Sequence, residues 1–454
     1  MERTYIAQTL KNIGQKVTIT GRVQTVRDHG KVIFLDITDE TGLVQTVTRE
    51  KIDIAPQDIV KIEGTVKKRP ANLINSDIET GTIEIDAQNL RVVSKSQTLP
   101  IPTDTDGIDI EEDLRLKYRY LDLRRPRMQK NLRLRAQIAA IIRDYLNKEG
   151  FTEIETPYLS KTTPEGARDF IVPSRLHPGN FYALAQAPQQ YKQLLMLSGF
   201  EKYFQFARAF RDEDMRADRQ FEHTQVDVEM AYVKREDILT LIEKLMIHLA
   251  KSLKRKIKSA PFPLFKYEEA IKKFKSDKFD LRSDGEKKQQ VLAFAWVIDF
   301  PLLEFDKKSK RYTFSHNPFT SPKEEDIESL KQRKNLDKIS SYQYDLVLNG
   351  EELGSGSIRI TDPSLQKEVF KVMGFDDKKT EKDFGHLLSA YKFGAPPHGG
   401  IAIGLDRLCA VLAGESSIRE VIAFPVSGSG QSAVMEAPSE IDTEILKELK
   451  IKVS

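Results

Sequence analysis

FQFARAFRDEDMRADRQFEHTQVDVE, residues 204–229, carries more information than any other stretch of the chain. Phe204 to Phe210 alternate as a strand does, and Thr224 to Met230 alternate again. Between them Arg211, Asp212, Glu213, Asp214, Arg216, Asp218 and Arg219 fall within nine positions. Two alternating runs joined by a long charged loop predict an antiparallel strand pair. An arginine fixed at a strand end grips a phosphate with two parallel donors, and a carboxylate two residues on orients an amine or a metal. The competing reading is a solvated hairpin tip. It accounts poorly for charges bracketed by Phe210 and by the run Phe221-Glu222-His223-Thr224.

Outward from that loop, 454 residues allow two or three domains and a large core. Hydrophobic residues at 39% and charged ones at 31% fit a soluble protein. The net charge of +3 decides nothing, but its distribution is uneven. Arg115 to Arg135 holds nine Lys/Arg and a single acid, Asp122. That density suits either a phosphate backbone or a solvated helix face. The one cysteine, Cys409, sits in the apolar run Leu408 to Leu412, which predicts a core residue and leaves no disulfide or Cys-based zinc site. The seven histidines show no HExxH spacing. The N-terminus lacks a signal-peptide core and no apolar run reaches the ~18 residues of a membrane span, so a cytoplasmic location without membrane attachment is expected.

The first hundred residues read as five strands: Val17–Val26, Lys31–Ile37, Leu43–Val47, Ile59–Val66 and Thr82–Val93, with Asp28-His29-Gly30 as a hairpin signal. Five strands in this length suit a small closed barrel of the oligonucleotide-binding type, bent at its Gly-Arg and Gly-Thr pairs. Leu99 to Thr105 reads as a linker. Ile138, Ile141, Ile142, Tyr145 and Leu146 give residues 133–148 an apolar helical face. Gly150 ends that helix, and Phe151–Leu159 reads as a strand carrying a proline. Strands and helices then alternate to Pro425, and residues 427–432 read as a loop.

Two further stretches carry chemistry. In Asp345…Glu352-Leu-Gly-Ser-Gly-Ser-Ile-Arg359, two acids suit a Mg²⁺ brought by a nucleotide, and the small residues suit a ligand lying against backbone. In His398-Gly-Gly-Ile-Ala-Ile-Gly-Leu-Asp-Arg407, glycines precede an apolar helix whose early arginine suits a phosphate or an adenine face.

The charged loop at 211–220 resembles motif 2 of the class II aminoacyl-tRNA synthetases, in the form RDEDMRADRQ takes in bacterial aspartyl enzymes. Residues 398–407 are similar to motif 3, and Arg133 to Leu159 to motif 1, the family's dimer-forming element. The resemblance implies an α+β chain: an N-terminal five-stranded OB-fold anticodon barrel (1–103), a linker or hinge (104–132), and a class II catalytic domain (133–454) on an antiparallel sheet flanked by helices. It implies an ATP-dependent aspartate–tRNA ligase, with Mg²⁺ as cofactor and L-aspartate, ATP and tRNA(Asp) as partners. A homodimer is also implied.

Position by position, the resemblance gives Arg211, Glu213 and Arg407 to catalysis. Lys192 and Arg359 are expected on the aspartate side chain, Glu165, Gln189 and Asp227 around its ammonium, and Arg211 and His316 over the amino acid. ATP would meet Arg211, Asp212, Glu213, Gln220, Glu352, Gly404, Leu405, Asp406 and Arg407, with Asp345 and Glu352 on the metal. In the barrel, Phe34 would stack on an anticodon base beside Arg27 and Gln45. His29 resembles enzymes that also charge tRNA(Asn). Two cations facing one carboxylate would separate aspartate from asparagine, because the amide leaves both unpaired.

The chain departs from the family pattern twice. Ala187 stands where relatives have Ser. Only about ten residues, Ser283 to Leu292, occupy the place of a large inserted domain. An asparaginyl or lysyl enzyme of the same subclass is the first rival, opposed by the Lys192/Arg359 pair. A non-catalytic tRNA-binding relative is the second, opposed by the presence of Arg211, Glu213, Glu352 and Arg407.

Overall fold

Alternation of period two governs residues 16–94. In the computed structural model, which describes residues 2–307 and 310–453, they form β1 (Lys16–Asp28), β2 (Ile33–Asp39), β3 (Gly42–Thr48), β4 (Ile59–Lys68) and β5 (Ile83–Ser94). The strands close a barrel in the order β1-β2-β3-β5-β4, with only β3 and β5 parallel. Val17, Ile19, Leu35, Ile37, Val60, Ile62 and Ile85 fill its interior, one face of each strand turning inward. The expected bends have a steric cause. A Cβ on Gly21 would lie 2.5 Å from the Thr38 carbonyl, and one on Gly64 would lie 2.5 Å from that of Asp86, so only glycine lets the strands cross there. This barrel and its tail, Met1–Pro102, make one compact unit, and Thr103–Ser454 make the other.

The second unit begins with α1 (Glu112–Lys117), α2 (Arg119–Asp122) and α3 (Pro126–Lys148), the last started by its N-terminal proline. Residues 104–132 were expected as a linker and their arginines as a nucleic-acid track or a solvated face. The structure corrects both readings. Arg115, Arg119 and Arg125 are buried and converge on Asp122 at 2.7–3.1 Å, and Arg115 also reaches Glu420 at 2.7 Å. The lone acid in the basic run is therefore its anchor.

The expected Phe151–Leu159 strand is split: β6 (Thr152–Glu153) and β7 (Leu159–Ser160) join different sheets, separated by Pro157, which cannot donate to a ladder. Then come β8 (Ile171–Pro173), β9 (Phe181–Leu184), α4 (Gln189–Leu197), β10 (Lys202–Phe210), β11 (Glu222–Ala231) and α5 (Arg235–Ser252). Further on lie β12 (Leu264–Lys266), α6 (Tyr267–Phe274), α7 (Asp284–Lys288), β13 (Phe294–Ile298), β14 (Leu303–Asp306) and β15 (Arg311–Phe314). The last elements the site needs are α8 (Ile327–Lys331), β16 (Gln343–Leu348), β17 (Glu351–Ile358), α9 (Pro363–Val372), α10 (Asp377–Tyr391), β18 (His398–Gly404) and α11 (Leu405–Ala413).

Eight strands form the main sheet, in the order β12-β13-β16-β17-β18-β11-β10-β6. Its interior is antiparallel as expected, but the edge pairs β12/β13 and β10/β6 are parallel, so the sheet is mixed. Ile138, Ile142 and Leu146 of α3 pack with α5 and with Leu405, Leu408 and Cys409 of α11 against one face. Val226 and Val228 of β11 point into that core, which by alternation turns Gln225, Asp227 and Glu229 to the opposite face. The site lies there.

Candidate active site

A cavity of about 520 Å³ opens on that second face. Its floor is a chain of buried charges. Lys192 on α4 donates to Asp227 Oδ1 at 2.8 Å and lies 3.3 Å from Glu229 Oε2. Arg359, just past β17, grips both oxygens of Glu229 at 2.9 and 3.1 Å and donates to Ser357 at 2.7 Å. All four charged residues are at most 4% exposed. Burial alone would push the Glu229 carboxyl up, but Arg359 and Lys192 prevail and hold it at about 2. The expectation of two unpaired cations is thus corrected: each already has a carboxylate. The sequence reading stopped at Asp227 and missed Glu229, although period two places Glu229 on the same face. Asp227 lines the cavity, and its Oδ2 is buried with no protein partner among the described residues.

Above the floor, Glu165 accepts from Gln190 at 3.3 Å, and its carboxyl is pushed up to about 7, chiefly by burial, with Arg211 pulling the other way. Its side chain is only half-buried by surface exposure, but the surrounding loop and α4 displace enough water to favour the neutral form. The loop is fastened by Gln186. Its amide donates to Ala167 O at 2.9 Å and Asp169 Oδ1 at 2.5 Å and accepts from Ala167 N at 3.1 Å. Gln189 and Ala187 line the same wall.

His316 closes the other side, with Nε2 at 3.4 Å from Asp345 Oδ2. Burial lowers its pKa, but Asp345 and Glu352 outweigh burial and raise it. Glu352 lines the cavity and is bound by Lys278 at 2.8 Å. Asp345 lies behind His316, tied to Gln343 at 3.0 Å, and is not part of the lining. Among the described residues no cluster of three or more His, Cys, Asp and Glu forms a metal cage. Of the two acids only Glu352 lines the cavity, and one carboxylate there fits a hard cation that brings most of its own oxygen ligands, as Mg²⁺ does with a polyphosphate.

The charged loop between β10 and β11 bounds the third side. Arg211 donates to Gln186 O at 3.3 Å, Glu213 meets Arg219 at 3.1 Å, and Arg407 meets Asp218 at 3.1 Å and donates to the Glu352 carbonyl. His223 faces these arginines; burial and the charges of Arg211, Arg208 and Arg407 pull its pKa down to about 3, so it is neutral. Gln220 and Gly404 line the cavity, Gln220 also accepting from Val426 N at 2.8 Å.

Two residues expected at a nucleotide stand differently: Asp212 turns outward to Arg168 at 3.6 Å, and Leu405 is in the core. Asp406 lines the cavity, and its carboxylate also ties Arg135 to the Thr224 backbone N–H, the latter at 2.9 Å. The glycines of β17 and β18 also serve the sheet more than a ligand. A Cβ on Gly400 would meet Val228 O at 2.0 Å and Glu229 Oε2 at 2.1 Å, and one on Gly356 would meet Gly400 O at 2.2 Å.

In the barrel, Arg27 pairs with both oxygens of Asp36 at 2.6 and 2.9 Å, next to Gln45 at 3.4 Å. Phe34 is half-buried outside the barrel core, edge-on to His29 with ring centres 5.6 Å apart. His29 precedes Gly30, whose φ of +80° makes the turn.

Residues 111–428 match the family model for class II tRNA synthetases (D, K and N), and residues 17–93 match the OB-fold nucleic acid binding domain. An aspartate–tRNA(Asp/Asn) ligase from Thermoanaerobacter sp. (strain X514) is 39% identical over 586 aligned positions, covering 100% of this chain and 98% of the relative. An aspartate–tRNA ligase from Staphylococcus haemolyticus is 37% identical and covers 97% of each. The 586 positions against 454 residues leave 132 without a counterpart here. Among solved structures, asparaginyl-tRNA synthetase from Pyrococcus horikoshii, complexed with asparaginyl-adenylate, aligns at a TM-score of 0.74 with 23% identity, covering 94% of this chain and 98% of that one. A putative aspartyl-tRNA synthetase from Leishmania major Friedlin reaches the same TM-score at 21% identity, with 93% and 94% covered. These two show the shared fold.

Proposed function

From the premise that this chain belongs to the class II aminoacyl-tRNA synthetases of the D, K and N group, we propose that it is an aspartate–tRNA ligase, an ATP-dependent enzyme. The observation that carries the reading is the buried floor Asp227–Lys192–Glu229–Arg359. Lys192 and Arg359 keep N–H donors beyond those given to Asp227, Glu229 and Ser357, and the substrate ammonium beside Asp227 offsets the charge that the substrate carboxylate brings. A second carboxylate partner satisfies donors that a neutral amide engages only weakly. Asp227 Oδ2, Glu165 and Gln189 hold the ammonium.

The aspartate α-carboxylate attacks the α-phosphorus of ATP and pyrophosphate leaves; a hydroxyl of the terminal ribose of tRNA then attacks the aspartyl carbonyl carbon, losing its proton, and AMP leaves. No protein nucleophile is required. Arg211, the Glu213–Arg219 pair and Arg407 position the triphosphate and oppose its developing charge. Gln220, Gly404 and the backbone at 405–406 border the nucleotide, and His316 covers the amino acid. Glu352, backed by Asp345 behind His316, would hold the Mg²⁺ that accompanies ATP, and the ion would supply charge neutralisation on the phosphates.

Residues 1–103 serve as the anticodon barrel, with Phe34 stacking on a base beside Arg27, Gln45 and His29. Residues 133–454 are the catalytic domain. Charging of tRNA(Asn) as well as tRNA(Asp) accords with the Asp/Asn names of the relatives. The protein works as a cytoplasmic homodimer, joined through α3 and residues 152–160. Among the described residues no helix is long and apolar enough to cross a membrane.

Pyrophosphate exchange into ATP, run with aspartate, asparagine and lysine in turn, tests the reading. Only aspartate should support exchange; exchange driven best by either of the others refutes it.

A further inference from the structure

On the solvent side of the cavity three cations meet carboxylates: Arg407 meets Asp218, Arg219 meets Glu213, and Lys278 meets Glu352. Lys278 differs from the arginines in its origin. It lies between α6 and α7 in a stretch with no helix or strand, away from the motif-like loops. Its backbone is nevertheless fixed, because Phe279 is buried and stacks on Phe274 with ring centres 4.1 Å apart. Its side chain keeps 40% exposure. A long flexible stem on a fixed root can swing without disturbing packing.

We propose that Lys278 is a polyphosphate-binding residue. In the free protein it is the counter-ion of Glu352, and it exchanges that carboxylate for a phosphate of the entering nucleoside triphosphate. The inference rests on the cavity being the ATP site. A phosphate and the Glu352 carboxylate cannot share this corner without a cation between them, since both are anionic. Lys278 and Arg407 are the two cations in contact with Glu352, one at its carboxylate and one at its carbonyl. Arg407 is also held by Asp218, so the ammonium is the freer of the two. Its departure leaves Glu352 open to the nucleotide's own Mg²⁺. No covalent step is involved.

The test is calorimetric titration of ATP into the whole protein, first in EDTA and then with Mg²⁺, for wild type, K278M and K278R, alongside pyrophosphate exchange. K278M should bind ATP about tenfold or more weakly in EDTA, the loss expected for one charge-assisted contact. Its KM for ATP should rise similarly with KM for aspartate unchanged, and K278R should recover most of the loss. Wild-type ATP affinity in K278M overturns the proposal, as does an equal rise of both KM values. If K278M does not fold by thermal melt, K278Q is judged by the same criteria. Should wild type fail to exchange with aspartate yet bind ATP in a Lys278-dependent way, the ligase reading falls and this one stands.

Discussion

Arg359 and Glu229 act as one unit, and a change to either is felt at the other. Arg359→Leu removes a bidentate partner, leaves Glu229 to Lys192 alone, and draws Lys192 away from a substrate carboxylate. We expect aspartate-dependent exchange to fall by about a hundredfold or more in kcat/KM, while ATP binding measured by calorimetry survives. Near-normal exchange in this variant would remove the basis for assigning aspartate. Glu165 gives a pH signature. Its carboxyl, raised to about 7 by burial, is neutral below that value and anionic above it, with Arg211 and Asp169 the charges facing it. An ammonium is held better by the anion, so KM for aspartate should fall as pH rises between about 6 and 8. Glu165→Gln should flatten that profile at a high KM. A wild-type profile retained by Glu165→Gln would assign the titration to another group.

At the scale of elements, α1, α2 and α3 are joined by an acid where the sequence shows a run of cations. Asp122 accepts from Arg115, Arg119 and Arg125 with no exposure of its own, while Arg127 and Asn131 reach Glu415 and Glu420 near α11. Removing one member of a buried ionic group costs far more than the intact group contributes, because the remaining charges stay desolvated. Asp122→Ala should therefore destabilise the protein by about 3–5 kcal/mol in urea unfolding. A loss below about 1 kcal/mol would mean that the arginines find other partners. Asp406 plays a similar role between α3, β11 and α11.

At the scale of the molecule, the short connector carries the clearest expectation. Residues 283–292 contain α7 (Asp284–Lys288), a helix capped by Ser283 and Glu286, at the place expected to hold an inserted domain in bacterial relatives. None of the residues lining the cavity comes from it. The chain should therefore form aspartyl-adenylate and charge tRNA(Asp) with no second polypeptide; a strict need for a helper protein would contradict this. Charging of tRNA(Asn) within about a thousandfold of tRNA(Asp) in kcat/KM, a gap of about 4 kcal/mol, is the expected mark of a relaxed anticodon site around His29 and Phe34. A wider gap would show that His29 does no more than turn the hairpin. Light scattering at micromolar concentration should report a dimer, and a fully active monomer would count against the α3 interface.

The sequence alone determined what short-range periodicity and local chemistry determine. Period two laid out the five barrel strands and the pair β10 and β11, and period 3.6 marked α3, because one buried face leaves its stamp on every second residue of a strand or every third and fourth of a helix. Lys192, Asp227, Glu352, Arg359 and Arg407 were legible as candidate site residues because each sits in a recognisable run, and all of them border the cavity. What the tertiary structure decided was pairing. A sequence shows that Lys192 and Arg359 are cations, but not that Glu229 already balances both from a third element. It shows nine cations between 115 and 135, but not that three of them turn inward onto Asp122. Glycines near Arg359 and Arg407 suggest room for a ligand, and only the register of β11, β17 and β18 reveals that neighbouring backbone and Glu229 fill most of it. Ion pairing and strand contact depend on distance in space, and residues 130 positions apart carry no local trace of meeting.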